Sequence, residues 1–160
     1  MKRVALALVV AFGLSPLAKA DHHFMHQTKA HEHSHMHHEH QQVKEEQRII
    51  VINLTHDAGP QAVMATRFAN VALSRGHEVV LWLNSYGVRL ADAKAKKLDK
   101  SQEQARKNIQ ELLSKGGKVY VCPHCANMLG VKELIKGAEF AKPDAIFPII
   151  ADEKARIISL

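Results

Sequence analysis

Val119-Tyr120-Val121-Cys122-Pro123-His124-Cys125-Ala126-Asn127-Met128-Leu129-Gly130 is the stretch on which the fold turns. A short apolar run, read as a strand, ends in a CxxC, and a helix-like segment follows. Both cysteines of the chain lie here. A cysteine at the point where a strand stops and a helix starts meets unpaired backbone N–H groups and the positive end of a helix dipole. Both favour thiolate over thiol, and the thiolate is the reactive and metal-binding form. The stretch reads as a thiol site.

Working upstream, the same order of apolar run, turn and helix recurs. Residues 48–54 (Arg-Ile-Ile-Val-Ile-Asn-Leu) are β-branched and nearly continuously apolar, the pattern of a strand buried on both faces. Thr55-His56-Asp57-Ala58-Gly59 is the turn after it, with Pro60 near a first helical position and Asp57 or Thr55 as the expected cap. Ala62, Ala65, Thr66, Ala69, Ala72 and Leu73 form one helical face, and Arg75-Gly76 is its stop signal. Residues 78–84 read as a second strand, and 85–90 as a loop with a short apolar insert. A second helix begins near Lys100 or Ser101, where Ser101 and Gln104 have capping-box spacing, and Gly116-Gly117 ends it. Residues 118–121 are the third strand. Downstream of the CxxC, residues 126–137 read as one or two short helices. Residues 145–150 and 156–159 read as two last strands, the first of them broken by Pro148.

Strand and helix in alternation, with apolar strands, imply an α/β fold: an open parallel sheet flanked by helices, in a single domain over residues 48–160. In such sheets, reactive groups collect beyond the carboxyl ends of the strands. Three segments end there: Thr55-His56-Asp57, Asn84-Ser85-Tyr86 and Cys122-Pro123-His124-Cys125. The topology therefore places His56 and His124 as the candidate partners of Cys122 and Cys125. A histidine there would lower a thiol pKa, act as a base, or complete a metal site with both sulfurs. Alternatively His56 is a turn residue bonded to backbone. His77 is expected at the surface.

Cys-Pro-His-Cys is also the active-site tetrapeptide of DsbA-type thiol oxidases. A thioredoxin fold, however, needs a further strand, helix and cis-proline hairpin after its CxxC, and too little chain follows Cys125. A zinc ribbon would need a second ligand pair that the folded segment lacks. The order and spacing of other pieces resemble the DsrE/DsrF-like family: Arg67-Phe68-Ala69, Arg75-Gly76-His77-Glu78-Val79, Leu83-Asn84, Gly87-Val88-Arg89-Leu90-Ala91, Val119-Tyr120-Val121-Cys122 and Gly130-Val131. The resemblance implies a three-layer parallel α/β sandwich, assembly as a dimer, trimer or hexamer, and a cysteine that carries persulfide sulfur. By position at the end of the third strand, Cys122 is similar to that carrier. A second cysteine, an export signal and a histidine-rich segment set this chain apart from the better-known members.

The N-terminal part is of a different kind. Lys2 and Arg3 precede an uncharged apolar run over residues 4–14, and Ala18-Lys19-Ala20 supplies an A-x-A cleavage site, so residues 1–20 read as a signal peptide. The run is too short to span a bilayer. The expected product is exported to a periplasm and not membrane-bound. Losing Lys2, Arg3 and Lys19 lowers the formal charge from +6 to +3, which with the compartment argues against nucleic acid as a partner. In an oxidising compartment two cysteines ordinarily read as a structural disulfide, but a loop this small restrains little, and redox or metal chemistry is the better reading.

Nine of the twelve histidines fall in the next segment, residues 21–47: His22, His23, His26, His31, His33, His35, His37, His38 and His40. The segment lacks an apolar period and is expected to be disordered without a ligand. Neutral imidazole suits copper, zinc and nickel, and Met25 and Met36 add thioethers that suit cuprous ion. Cleavage after Ala20 would leave Asp21-His22-His23 at the N-terminus, a square-planar nitrogen set for Cu(II) or Ni(II). Two function classes therefore stay open. One is a sulfur or thiol handler working through Cys122 with a donor or thiol partner protein. The other is a non-catalytic metal-binding protein that buffers or delivers copper, zinc or nickel.

Overall fold

The computed structural model describes residues 46–160. β1 (Ile49–Leu54), β2 (Glu78–Leu83) and β3 (Lys118–Val121) form where the continuous apolar runs predict strands. With β4 (Glu139–Phe140) and β5 (Ala155–Ser159) they make one five-stranded, all-parallel sheet in the order β4-β3-β2-β1-β5. The register sets Ile52 beside Leu81, and Leu81 beside Val119, so buried side chains line up in rows across the sheet.

Helices α1 (Gly59–Ser74) and α2 (Lys100–Ser114) cover one face. Ile50, Ile52, Leu54, Leu81, Leu83 and Val121 pack there against Ala62, Ala65, Ala69, Ala105 and Ile109. Alanines let the helices lie close to each other and to the sheet. Between them Asn108 Nδ2 donates to Thr66 Oγ1 at 3.0 Å, and Asn70 Nδ2 donates to the Asn108 carbonyl at 2.8 Å. Gly76, at φ +87°, ends α1 as expected.

The second face carries Val51 and Val80, flanked by Trp82 and Tyr120, and is covered by α4 (Pro143–Ile150). This corrects the reading of residues 145–150 as a strand. Pro143 starts the helix, Asp144 sits in its first turn, and Ile146, Ile149 and Ile150 recur at helical spacing to meet the sheet. Pro148 removes one N–H from the ladder, which burial of that face offsets. Because α4 links β4 to β5 on the far side of β1, the right-handed crossover rule places it opposite α1 and α2. The result is a three-layer sandwich.

Several local expectations also differ from what the structure shows. The cap of α2 is Asp99, whose Oδ1 accepts from the Ser101 and Gln102 N–H groups at 2.7 and 2.8 Å, while Gln102 Oε1 accepts from Asp99 N–H at 3.0 Å. The capping box thus starts two residues before Ser101. Ser101 instead serves α1: its Oγ accepts from Gly59 N–H at 2.8 Å, so neither Asp57 nor Thr55 caps that helix. Residues 126–137 hold only the end of α3 (Pro123–Met128), which begins immediately after Cys122. His77 is half-buried, and its Nδ1 accepts from Arg48 N–H at 3.3 Å.

The apolar insert after β2 is a 3-10 helix, Ser85–Ala91, tucked against the end of β1. Gly87 N–H donates to Thr55 O at 3.0 Å, and a Cβ on Gly87 would lie 2.4 Å from Leu54 O. Backbone cannot yield there as a side chain would. Gly87→Ala is expected to cost about 1–3 kcal/mol in urea unfolding. An unchanged midpoint would show that the turn sits further from β1 than this.

Candidate thiol site

The carboxyl ends of β2 and β3 are neighbours in the sheet, and Cys122 N–H extends their pairing by donating to Leu83 O at 2.8 Å. That bond fixes where β3 stops. Pro123 opens α3, and one turn later Cys125 comes back beside Cys122. Both are half-buried free thiols. The two thiols are close enough for Cys122 to influence the protonation of Cys125.

Burial pushes the Cys125 thiol above the ordinary cysteine range, and its hydrogen bond to Cys122 pushes the same way. The Ser85 backbone N–H acts in the opposite direction. Ser85 is the only non-glycine among the described residues with positive φ, at 48°. Left-handed backbone at a non-glycine costs on the order of 1–2 kcal/mol, and here it falls at a residue that lines the cleft beside Cys125. Cys122, for its part, takes the N-cap position of α3 but makes no side-chain cap bond, and α3 is only six residues long. The sequence points to thiolate stabilisation by the helix start; the backbone donor that the structure provides comes from the neighbouring loop.

A small cleft of about 220 Å³, lined by Ser85, Tyr86, Cys125, Met128 and Leu129, opens beside the pair. Tyr86 and Met128 are exposed large apolar side chains on its rim. None of Ser85, Met128 and Leu129 carries a chemical signature in the sequence. Asn84-Ser85-Tyr86 is legible only as a segment ending at the right edge of the sheet.

The histidines are arranged otherwise. His56 is exposed, and its Nδ1 lies 3.0 Å from Thr55 Oγ1, the turn-residue alternative for this side chain. His124 is exposed on α3. Neither makes a hydrogen bond to a cysteine among the described residues, and no three His, Cys, Asp or Glu side chains there are grouped to hold a metal. Among the described residues, neither His56 nor His124 is thus grouped with Cys122 and Cys125 as a third ligand. The nine histidines from His22 to His40 and the export signal lie outside the described residues. Among the described residues no helix is long and apolar enough to cross a membrane.

On the far side of Leu129 is a second, polar cavity of about 240 Å³, lined by Asp57, Arg89, Asp92, Lys97 and Gln102 among others. Arg89 Nη1 lies 3.4 Å from Asp57 Oδ2, and Gln102 Nε2 donates to the same oxygen at 3.2 Å. The Arg89 guanidinium sits over the Tyr86 ring, 5.0 Å from its centroid.

No curated protein matches the chain. Among solved structures, the YchN protein of E. coli superposes with a TM-score of 0.60 at 15% identity, covering 72% of this chain and 100% of that one, a likeness of fold. The parallel sandwich agrees with a match of residues 47–157 to the DsrE/DsrF-like family, and the chain belongs to that family.

Proposed function

We propose that this protein handles sulfur or thiols outside the cytoplasm, with Cys122 as the group that accepts sulfane sulfur or exchanges disulfide and Cys125 as its resolving partner. The observation that carries this reading is the pair of free thiols, one helical turn apart at the carboxyl edge of the sheet, with Cys125 lining an open cleft. Loading by a persulfide donor R–S–SH balances without an oxidant. The Cys122 thiolate attacks the outer sulfur, a sulfur–sulfur bond forms to give Cys122–S–SH, and the donor's own sulfur–sulfur bond breaks with its electron pair leaving on R–S⁻. The hydrogen stays on the transferred sulfur. His56 and His124 stand within the same edge of the sheet as surface groups and are assigned no proton-transfer step.

The histidine-rich segment is proposed to bind copper, zinc or nickel, on the strength of its nine imidazoles in residues 22–40. The same observation favours a second reading, in which metal buffering or delivery is the whole activity. Oligomers and a sulfur-donor or thiol partner protein belong to the proposal by family likeness.

Native mass spectrometry of untagged protein, expressed with its leader and recovered from the periplasm, tests both. One added sulfur on Cys122 after exposure to a persulfide donor supports the sulfur-carrier reading. Unmodified thiols with retained metal would replace it with the metal-binding one. Deleting residues 21–40 is expected to remove most bound metal while leaving sulfur loading of Cys122 unchanged. Metal retained in full by the deletion would take the ligand role away from those histidines.

A further inference from the structure

The polar cavity behind Leu129 is not used by the thiol chemistry, yet it shares two walls with the thiol cleft. Leu129 lines both, and Arg89, on the polar side, is stacked over Tyr86, on the thiol side. Its lining carries both signs of charge: Asp57 and Asp92 against Arg89 and Lys97. The ion pair within it is loose. At 3.4 Å the Arg89–Asp57 contact is longer than a tight charge-assisted bond, about 2.7–2.9 Å, and Arg89 is half exposed. Most of the five guanidinium donors are therefore available to a ligand.

Those charges select among ligand classes. A lone anion would gain Arg89 and Lys97 but face two carboxylates, and a lone cation would meet the reverse. A nucleotide polyphosphate brings several negative charges to a lining whose formal charges cancel. A zwitterion satisfies both sets at once. We infer that this cavity binds the α-amino-acid head of a low-molecular-weight thiol, with Arg89 and Lys97 taking its carboxylate and Asp57 and Asp92 its ammonium group. The sulfur end of such a molecule, cysteine or a γ-glutamyl thiol, then extends past Leu129 toward Cys122 and Cys125. The inference rests on the thiol-handling reading and names its substrate class; the donor is the persulfide R–S–SH of the step above, with R carrying the zwitterion.

The test separates binding from chemistry. The full chain is titrated by calorimetry with S-methyl-L-cysteine and S-methylglutathione, which cannot react, and with 3-(methylthio)propionate, which lacks the ammonium group. Saturable binding of either zwitterion, at least tenfold tighter than the propionate, is expected, and which of the two binds identifies the source. Arg89→Gln and Asp57→Asn should each weaken it tenfold or more while loading of Cys122 by inorganic polysulfide, which has no such head, stays unchanged. Absence of binding, equal affinity for the propionate, or full affinity in a folded Arg89→Gln protein overturns the inference even where polysulfide loads Cys122. Tight zwitterion binding with no polysulfide loading would instead remove the thiol-handling reading and leave a binding site for an amino acid, overturning the assignment to a persulfide donor.

Discussion

Replacing Cys122 with serine should reduce persulfide loading of the protein to background. The hydroxyl that results is a poor nucleophile at neutral pH, whereas a thiol supplies a usable thiolate fraction. Cys122 is half-buried at the junction of β3 and α3, and the backbone bond from its N–H to Leu83 O does not depend on the side chain. The variant should therefore keep its fold, with a stability change within about 1 kcal/mol. Loading is read as the added mass of one sulfur, located by peptide mapping after trapping the persulfide with an alkylating reagent. Wild-type protein should carry the addition on the peptide containing Cys122. Should Cys122→Ser still acquire one sulfur, now on Cys125, the roles of carrier and resolving thiol would be exchanged. An addition on neither thiol in the wild type would remove sulfur transfer altogether.

How far this site was legible before the structure depends on which property of a residue is asked for. The runs at residues 48–54, 78–84 and 118–121 are unambiguous because strands buried on both faces must be apolar at every position, and Gly76 and Gly116 mark positive-φ stops that other residues rarely take. Ala145-Ile146-Phe147-Pro148-Ile149-Ile150 is equally apolar, but a short run of that kind suits either a strand or a buried helix face. What decides it is β4, a two-residue strand with no periodicity to read, which leaves the chain on the opposite face of the sheet. The thiols were visible as a spacing. Their neighbour Ser85 was not, because nothing in its side chain announces left-handed backbone, which is held by Gly87 N–H bonding to Thr55 O and Asn84 O. Topology places His56 at the correct edge, but an edge position does not fix where a ring points, and its partner is Thr55. The Asp57–Arg89 pair joins a turn to a 3-10 helix 32 residues away, so it exists only once the chain is folded.

Replacing Cys125 with serine should prolong the life of a persulfide on Cys122 and flatten its dependence on pH. In the wild type, the Cys125 thiolate attacks Cys122 Sγ of the Cys122–S–SH group, forms the Cys122–Cys125 disulfide and expels HS⁻. The two cysteines are oxidised, and the transferred sulfur leaves reduced as hydrosulfide. Only the thiolate of Cys125 does this, and burial, followed by the hydrogen bond to Cys122, holds that thiol protonated beyond the usual cysteine range. Raising a thiol pKa lowers its thiolate fraction at any given pH, by about tenfold per unit. Near neutrality the carrier is therefore protected from its own neighbour, and release is displaced to alkaline pH. Sulfide release from loaded wild-type protein should rise about tenfold per pH unit from roughly pH 7 upward, approaching its plateau only above the free-cysteine pKa of about 8.5. Cys125→Ser should release sulfide at least tenfold more slowly at the alkaline end and show no such rise. The measurement is sulfide evolved over time from a loaded, desalted sample across that range. Identical profiles for the two proteins would mean that the persulfide decays by another route and that Cys125 does not resolve it. A wild-type rise beginning well below neutral pH would show that the Ser85 N–H outweighs burial at this sulfur, and that the pair is poised for rapid exchange rather than for carriage.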